Sequence, residues 1–180
     1  VSVTVLVGNP RPGSRTATAA LAAARHVASA LGLPGDPDLV DLAALAPSLL
    51  LPGPPPEVAE ALERVTGAEL LVVASPTYKA TYTGLLKVFL DLLPGGALSG
   101  VTALPLLVMG SPAHTLAVEV HLRPLLVELG AHVPSPGLAV LQDTVPRDGA
   151  SGPDLDAVLA PWAERVAPQI RSPRRSRAAV

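Results

Sequence analysis

The run Glu69-Leu70-Leu71-Val72-Val73-Ala74 constrains the fold more than any other part of the chain. It is short, unbroken in apolar character after its first residue, and ends at once in Ser75-Pro76-Thr77. A strand with no polar face is buried on both sides, which places it inside a parallel sheet with helices above and below. The remainder of the chain follows the same alternation. Residues 1–7 read as a first strand, broken by Gly8, Pro10, Pro12 and Gly13. Residues 14–31 are rich in alanine and leucine and predict a helix, with Ser14, Thr16 and Thr18 crowding its start as capping groups. A weak second strand over 39–42 ends at Asp41. The proline cluster at 52–56 leads into a helix over 57–66, with Glu57 and Glu60 near its positive end. A helix over 83–93 follows the turn after residue 74.

Residues 101–109 give a fourth strand, in which Pro105 is out of keeping with a central position. Gly110-Ser111-Pro112-Ala113-His114 turns into a helix reaching about residue 129. A fifth strand lies within 133–141, interrupted by Pro134 and Pro136, and a last helix over 153–170 carries Trp162. Five strand–helix units of this size predict an α/β, flavodoxin-like three-layer sandwich with a five-stranded parallel sheet of order 2-1-3-4-5. The chain has 180 residues, which suits one domain over 1–170. The basic, aperiodic segment 171–180 is expected to be a disordered tail rather than an arm for an anionic partner.

Composition removes several classes of function. Cysteine is absent, so disulfides, thiolate nucleophiles and thiolate metal sites are excluded together. Net charge is −2, which gives no global field favouring nucleic acid or an anionic membrane. No apolar stretch approaches the roughly 18 residues that span a bilayer, and residues 1–7 lack the basic leader of a signal peptide. The expected location is cytoplasmic, with no membrane partner. His26, His121 and His132 have no metal-ligand spacing, and no metal site is expected. There is no G-x-S-x-G elbow.

In strand order 2-1-3-4-5 the turns after strands 1, 3 and 4 converge at the carboxyl edge of the sheet, where ligands bind. The first turn offers Gly8, Asn9, Arg11, Gly13, Ser14, Arg15, Thr16 and Thr18 at a helix amino end. Free amides, hydroxyls and a guanidinium there suit a phosphate, although an ordinary capped turn has the same hydroxyls. It is not a P-loop, since Ser14-Arg15 stands where Lys-Ser/Thr is needed, and the dinucleotide fingerprint G-x-G-x-x-G does not occur. The second turn, Pro76-Thr77-Tyr78, presents hydrogen-bonding groups and a ring to a flat heterocycle; the alternative is that Tyr78 and Tyr82 cap the core. Both tyrosines, both lysines and the only phenylalanine lie within 75–91. Lys87 and Asp91, four apart, are expected to pair along a helix. The third turn brings Gly110 and Ser111, with His114 either positioning a ligand or capping the helix.

The segments Gly8-Asn9-Pro10-Arg11-Pro12-Gly13-Ser14-Arg15-Thr16, Tyr78-Lys79-Ala80-x-Tyr82-x-Gly84-x-Leu86-Lys87 and Met109-Gly110-Ser111 resemble the NAD(P)H-dependent FMN reductases. Ala113-His114-x-Leu116-Ala117-Val118 with Leu122-Arg123-Pro124 is similar to the reductase component of two-component alkanesulfonate-type monooxygenases. The resemblance spans residues 3–140. It implies FMN and NADPH (or NADH) as cofactors, with hydride passing from nicotinamide to flavin N5 and no catalytic acid or base required. It implies that Arg11, Ser14 and Thr16 hold the FMN phosphate with Asn9 nearby. Pro76, Thr77 and Tyr78 would line the isoalloxazine, and Gly110 and Ser111 would face it from the other loop.

A homodimer or homotetramer and a monooxygenase that receives reduced FMN are the implied partners. Leu85, Val88 and Leu122 are expected as apolar outer positions at the subunit contact. Within that branch the helix near Val120 and His121 can carry an inserted residue, and a regular α-helix through His121 would exclude one here. The alternatives on the same fold are a quinone or azo reductase with tightly bound FMN, and a non-enzymatic FMN electron carrier.

Overall fold

The computed structural model describes residues 3–147 and 149–170; the basic segment 171–180 lies outside the described residues. Five strands form one parallel sheet in the order β2-β1-β3-β4-β5, as expected from the sequence. They are β1 (Val3–Val7), β2 (Asp38–Asp41), β3 (Leu70–Pro76), β4 (Thr102–Met109) and β5 (Leu138–Leu141). The helices are α1 (Arg15–Leu31), the single turn α2 (Leu42–Leu45), α3 (Pro56–Thr66), α4 (Gly84–Asp91), α5 (Arg123–Glu128) and α6 (Pro153–Val166). The sequence reading had no counterpart for α2, which Asp41 caps by accepting from Ala43 N.

Every residue of β1, β3 and β4 is buried, as central parallel strands require. Alternation along each strand sends side chains to two separate cores. On one face Val5, Val72 and Leu106 pack with α1 and α6, including Ala20, Leu159 and Trp162. On the other, Leu6, Leu71 and Leu107 pack with α3, α4 and α5, including Val65, Phe89 and Leu126. The alanine-rich face of α1 lets that helix lie close to the sheet, with Ala19, Ala20, Ala23 and Ala24 fully buried.

Pro105 sits in β4 at a place where its missing N–H leaves no gap in the ladder. Thr102 N donates to Glu69 O on the β3 side, and Ala103 N donates to His132 O on the β5 side. Alternate residues therefore face opposite neighbours, and Pro105 faces β5. Pairing with β5 begins only at Leu106–Leu138, so Pro105 lies between that ladder and the His132 bridge, where no donor is called for.

The connection after β4 departs from the single helix that the sequence predicts. A short 3-10 turn (Pro112–His114) leads to a π-helical turn (Val118–Leu122), and only then to α5. Pro124 accounts for the break: it has no N–H to offer the Val120 carbonyl, and its ring crowds that carbonyl. Arg123 N instead donates five residues back, to Val118 O. His121 lies inside this turn, so the regular α-helix that would have excluded an inserted residue is not what forms.

Leu122, expected as an outer position, is fully buried in the core. Leu116 and Val120 are exposed instead, as is Val127 in α5. Leu85 and Val88 of α4 are half-buried against the core. Among the described residues no helix is long and apolar enough to cross a membrane. No group of three or more histidine or acidic side chains among them is placed to hold a metal.

Candidate functional site

The carboxyl ends of β1, β3 and β4 open into a cavity of about 560 Å³, within the roughly 300–1,000 Å³ usual for cofactor sites. Three loops fix its shape. After β1, Gly8 N donates to Ala74 O, and the chain turns through Asn9. The buried Asn9 holds this loop from within: its Nδ2 donates to Thr16 Oγ1 at 3.0 Å, and its Oδ1 accepts from Arg11 N at 2.9 Å. Ser14 caps α1 by accepting from Ala17 N, and its carbonyl accepts from Thr18 N. No acceptor among the described residues pairs with the amides of Arg15 and Thr16, so the start of α1 presents two free donors on the cavity side of the loop.

The second loop begins at Pro76, the last residue of β3. Thr77 N donates to Val108 O, which continues the ladder one step past the strand. Thr77 Oγ1 is buried with no hydrogen-bond partner, although its residue lines the cavity. A buried hydroxyl left unpaired is costly, so this atom fits a ligand that completes it. Tyr78 and Thr81 then form a tight two-residue hairpin, with Tyr78 N donating to Thr81 O at 2.8 Å. Its central residues Lys79 (φ 53) and Ala80 (φ 67) are both left-handed, the geometry that matches a hairpin's twist but strains residues with a Cβ. Tyr78 is held at the cavity rim, 43% exposed. Tyr82 packs against the α3–α5 core instead and does not line the cavity. Lys87 and Asp91 pair at 2.6 Å along α4.

The third loop places Gly110 against the cavity, where an added Cβ would meet Gln142 Nε2 at 3.3 Å. Eight of the residues proposed from sequence line the cavity together: Asn9, Arg11, Ser14, Thr16, Pro76, Thr77, Tyr78 and Gly110. Ser111 is not among the lining residues; its hydroxyl accepts from Ala113 N and caps the 3-10 turn. His114 likewise stands outside the lining, with Nδ1 buried and unpaired.

The sequence reading did not include Gln142 and Arg147, which reach the cavity from the loop after β5. A signal for Gln142 existed, since it directly follows the fifth strand and the carboxyl-edge rule applies to that strand too. Arg15, considered from sequence as a phosphate contact, is already engaged: its guanidinium donates to Gln142 O and Gln142 Oε1, both at 3.0 Å, and lies 3.8 Å from Asp143. Among the described residues the lining contains three arginines and no carboxylate, which favours an anionic ligand.

A parallel sheet of this order, with a helix amino end and a polar crevice at the β1/β3 switch point, defines a flavodoxin-like α/β protein. The chain belongs to the NADPH-dependent FMN reductase family, whose model matches residues 1–144. An FMN reductase (NADPH) of Escherichia coli (strain K12) is 51% identical over 69 residues, 38% of this chain and 36% of that protein. The NADH-dependent FMN reductase SfnF of Pseudomonas putida is 40% identical over 77 residues, 43% of this chain and 41% of that protein. These matches thus span less than half the length of the curated relatives. The crystal structure of an NADH:FMN oxidoreductase, EMOB, in apo form superposes with a TM-score of 0.80 at 36% identity, covering 98% of this chain and 93% of the other.

Proposed function

We propose that this chain is an NAD(P)H-dependent FMN reductase, a single catalytic domain over about 1–170 that acts in the cytoplasm and supplies reduced FMN to a monooxygenase. The observation that carries the reading is the pairing, in one cavity, of an open helix amino end with the orphaned Thr77 hydroxyl. One suits a phosphate and the other the polar rim of a ring system. The names of its relatives, some written with NADPH and some with NADH, support the reaction and leave both dinucleotides as substrates. The monooxygenase partner follows from the resemblance of Ala113–Val118 and Leu122–Pro124 to the reductase component of alkanesulfonate-type monooxygenases.

In this reading Arg11, Ser14, Thr16 and the free amides of Arg15 and Thr16 hold the FMN phosphate, with Asn9 ordering the loop beneath them. Thr77 donates to the ring's polar edge, Pro76 and Tyr78 bound its faces, and Gly110 admits it closely from the β4 loop, with Ser111 next to it. Bound FMN supplies the hydride acceptor. The protein contributes orientation and a cationic surround, and no residue of the cavity is required to move a proton. The exposed Leu116, Val120 and Val127, beside the π-helical turn with His121, form the contact of a homodimer or homotetramer through which flavin is released.

Steady-state oxidation of NADPH and NADH by the purified chain, with FMN in excess and gel filtration of the product mixture, tests this. Turnover that rises with added FMN, and reduced flavin that leaves the protein, are the expected results. FMN that co-elutes with the protein, with turnover only when a quinone or azo compound is present, overturns it.

A further inference from the structure

A second cavity, of about 250 Å³, adjoins the first. Its floor is one stripe of α1, on which Ala17, Leu21 and Arg25 stand four residues apart. Its wall is the edge strand β2, from which Leu39 and Asp41 project on the same face. Gly149 and Ser151 cover it from the segment before α6. Gly13 lines both cavities. A Cβ there would meet nothing within 4 Å, so packing does not close the way between them at the start of α1.

Strand order sets the order of these places. The turns of β3 and β4, with Thr77, Tyr78 and Gly110, lie on one side of β1, and β2 lies on the other. The phosphate cradle stands between them, because α1 follows β1. A ligand that fills the whole crevice therefore has a ring at β3 and β4, phosphate at α1 and a further group against β2. FMN ends at its phosphate. FAD continues in the same direction, through a second phosphate to ribose and adenine.

The second cavity has the chemistry of that last part. Leu21 and Leu39 offer partly buried apolar surface suited to a flat base. Asp41 ends its strand at the carboxyl edge, where a carboxylate accepts from ribose hydroxyls in dinucleotide-binding sheets. Its Oδ1 accepts from Ala43 N at 3.1 Å, and no other hydrogen bond to this carboxylate forms among the described residues. The cover is tied to α1: Ser151 Oγ donates to Asp156 Oδ1 at 2.5 Å, and the same oxygen lies 3.0 Å from His26 Nε2.

We infer that this cavity binds the adenosine of FAD, with Asp41 accepting from its ribose, so that FAD is a ligand of the chain alongside FMN. This rests on the flavin site read above.

The test titrates FMN and FAD by calorimetry into the wild-type chain, Asp41→Asn and Leu21→Trp. Asparagine keeps the cap of α2, tryptophan fills the second cavity, and neither position lines the first. The wild-type chain is expected to bind FAD about tenfold more tightly than FMN, the scale of one hydrogen bond to a charged group. Both variants should lose that advantage while FMN affinity stays unchanged. The inference is overturned if FAD binds no more tightly than FMN, if its advantage survives either variant, or if FMN affinity falls as far as that of FAD. The adenosine of a nicotinamide dinucleotide has the same chemistry, and ADP titrated into the FMN-saturated protein distinguishes it. ADP binding that depends on Asp41 while FAD binding does not would assign the cavity to the dinucleotide and overturn the inference. A chain that binds FAD through Asp41 yet oxidises neither NADPH nor NADH with either flavin would refute the reductase reading alone.

Discussion

Thr83 Oγ1 donates to the carbonyl oxygen of Gly8 at 2.6 Å, joining the end of β1 to the start of α4 across 75 residues of sequence. The same hydroxyl accepts from Leu86 N at 3.1 Å and caps α4, while Thr83 N donates to Ser75 Oγ at 2.9 Å at the end of β3. One buried threonine thus couples both loops that make the cavity floor. Thr83→Val removes the cap and leaves the Gly8 carbonyl unpaired. The expected loss is about 2–3 kcal/mol, with FMN affinity reduced as well, and Thr83→Ser restores most of both. Urea unfolding followed by circular dichroism measures it; a Thr83→Val protein as stable as wild type would refute the coupling.

Gly8 is glycine because α4 passes against it. An added Cβ would stand 2.5 Å from Leu86 Cβ, with the Leu86 Cα also near, at 3.2 Å. Gly8→Ala is expected to cost about 1–3 kcal/mol through overpacking. Leu86→Ala gives no relief, because its Cβ remains, whereas Leu86→Gly does. A double-mutant cycle should therefore show favourable coupling for Gly8→Ala with Leu86→Gly and none with Leu86→Ala.

Three cavity side chains separate binding from stability. Ser14→Ala removes the α1 cap and is expected to lower stability by about 1 kcal/mol as well as weakening FMN. Arg11 is exposed, and no hydrogen bond from its guanidinium to a described residue forms. Arg11→Ala should leave unfolding unchanged while weakening FMN by about tenfold. Thr77→Val removes a buried hydroxyl that has no protein partner, so the fold should be no less stable while FMN binding weakens. Parallel flavin titrations and thermal melts distinguish the three patterns. A Thr77→Val protein with full FMN affinity would show that its hydroxyl does not meet the flavin.

The strand order and most of the cavity lining were legible because their signals are local. An apolar run such as 70–74, a Pro-Thr-Tyr turn or a cluster of capping hydroxyls carries its meaning within ten residues. What escaped depends on distance or on register. Gln142 meets Arg15 across 127 residues, and nothing near either one announces it. Arg147 reaches the cavity only because β5 lies beside β4. Leu122, expected as an outer position, lies in the core, four residues from buried Val118 and four from buried Leu126, and apolar character alone does not tell an outer position from an inner one. The left-handed pair Lys79-Ala80 was hidden because neither is a residue that normally marks such a turn.

That pair gives a prediction of its own. Ala80 holds φ 67 on an exposed hairpin tip, a conformation that glycine adopts without the Cβ clash. Ala80→Gly is expected to raise stability by roughly 0.5–1 kcal/mol, the relieved strain exceeding the added freedom of the unfolded chain. Chemical denaturation checks the sign. A loss of stability would mean that the turn is not left-handed in solution.

The π-helical turn is held by a charge pair whose contribution depends on pH. Glu119 accepts from the Arg123 guanidinium through both carboxylate oxygens, and its Oε1 also accepts from Gly137 N at 2.5 Å. Arg123 in turn donates to the carbonyls of Val133 and Pro134, so the pair clasps the turn to the segment entering β5. The hydrogen bond from Arg123, with further help from Gly137 N, holds the Glu119 carboxyl below its ordinary value of 4.5, against a smaller opposing effect of burial.

A carboxyl whose folded-state value is depressed contributes stability above its unfolded value and loses it as pH falls through the folded one. Glu119→Gln should therefore be less stable than wild type at pH 7, by about 1–2 kcal/mol for a pair that is partly exposed. The gap should close as pH drops from about 4.5 toward the lowered folded value. Unfolding free energies of the two proteins across pH 3–7, read at the approximate steps that denaturant titration allows, test this. A gap that persists undiminished at the acid end would mean that the clasp acts through shape rather than charge.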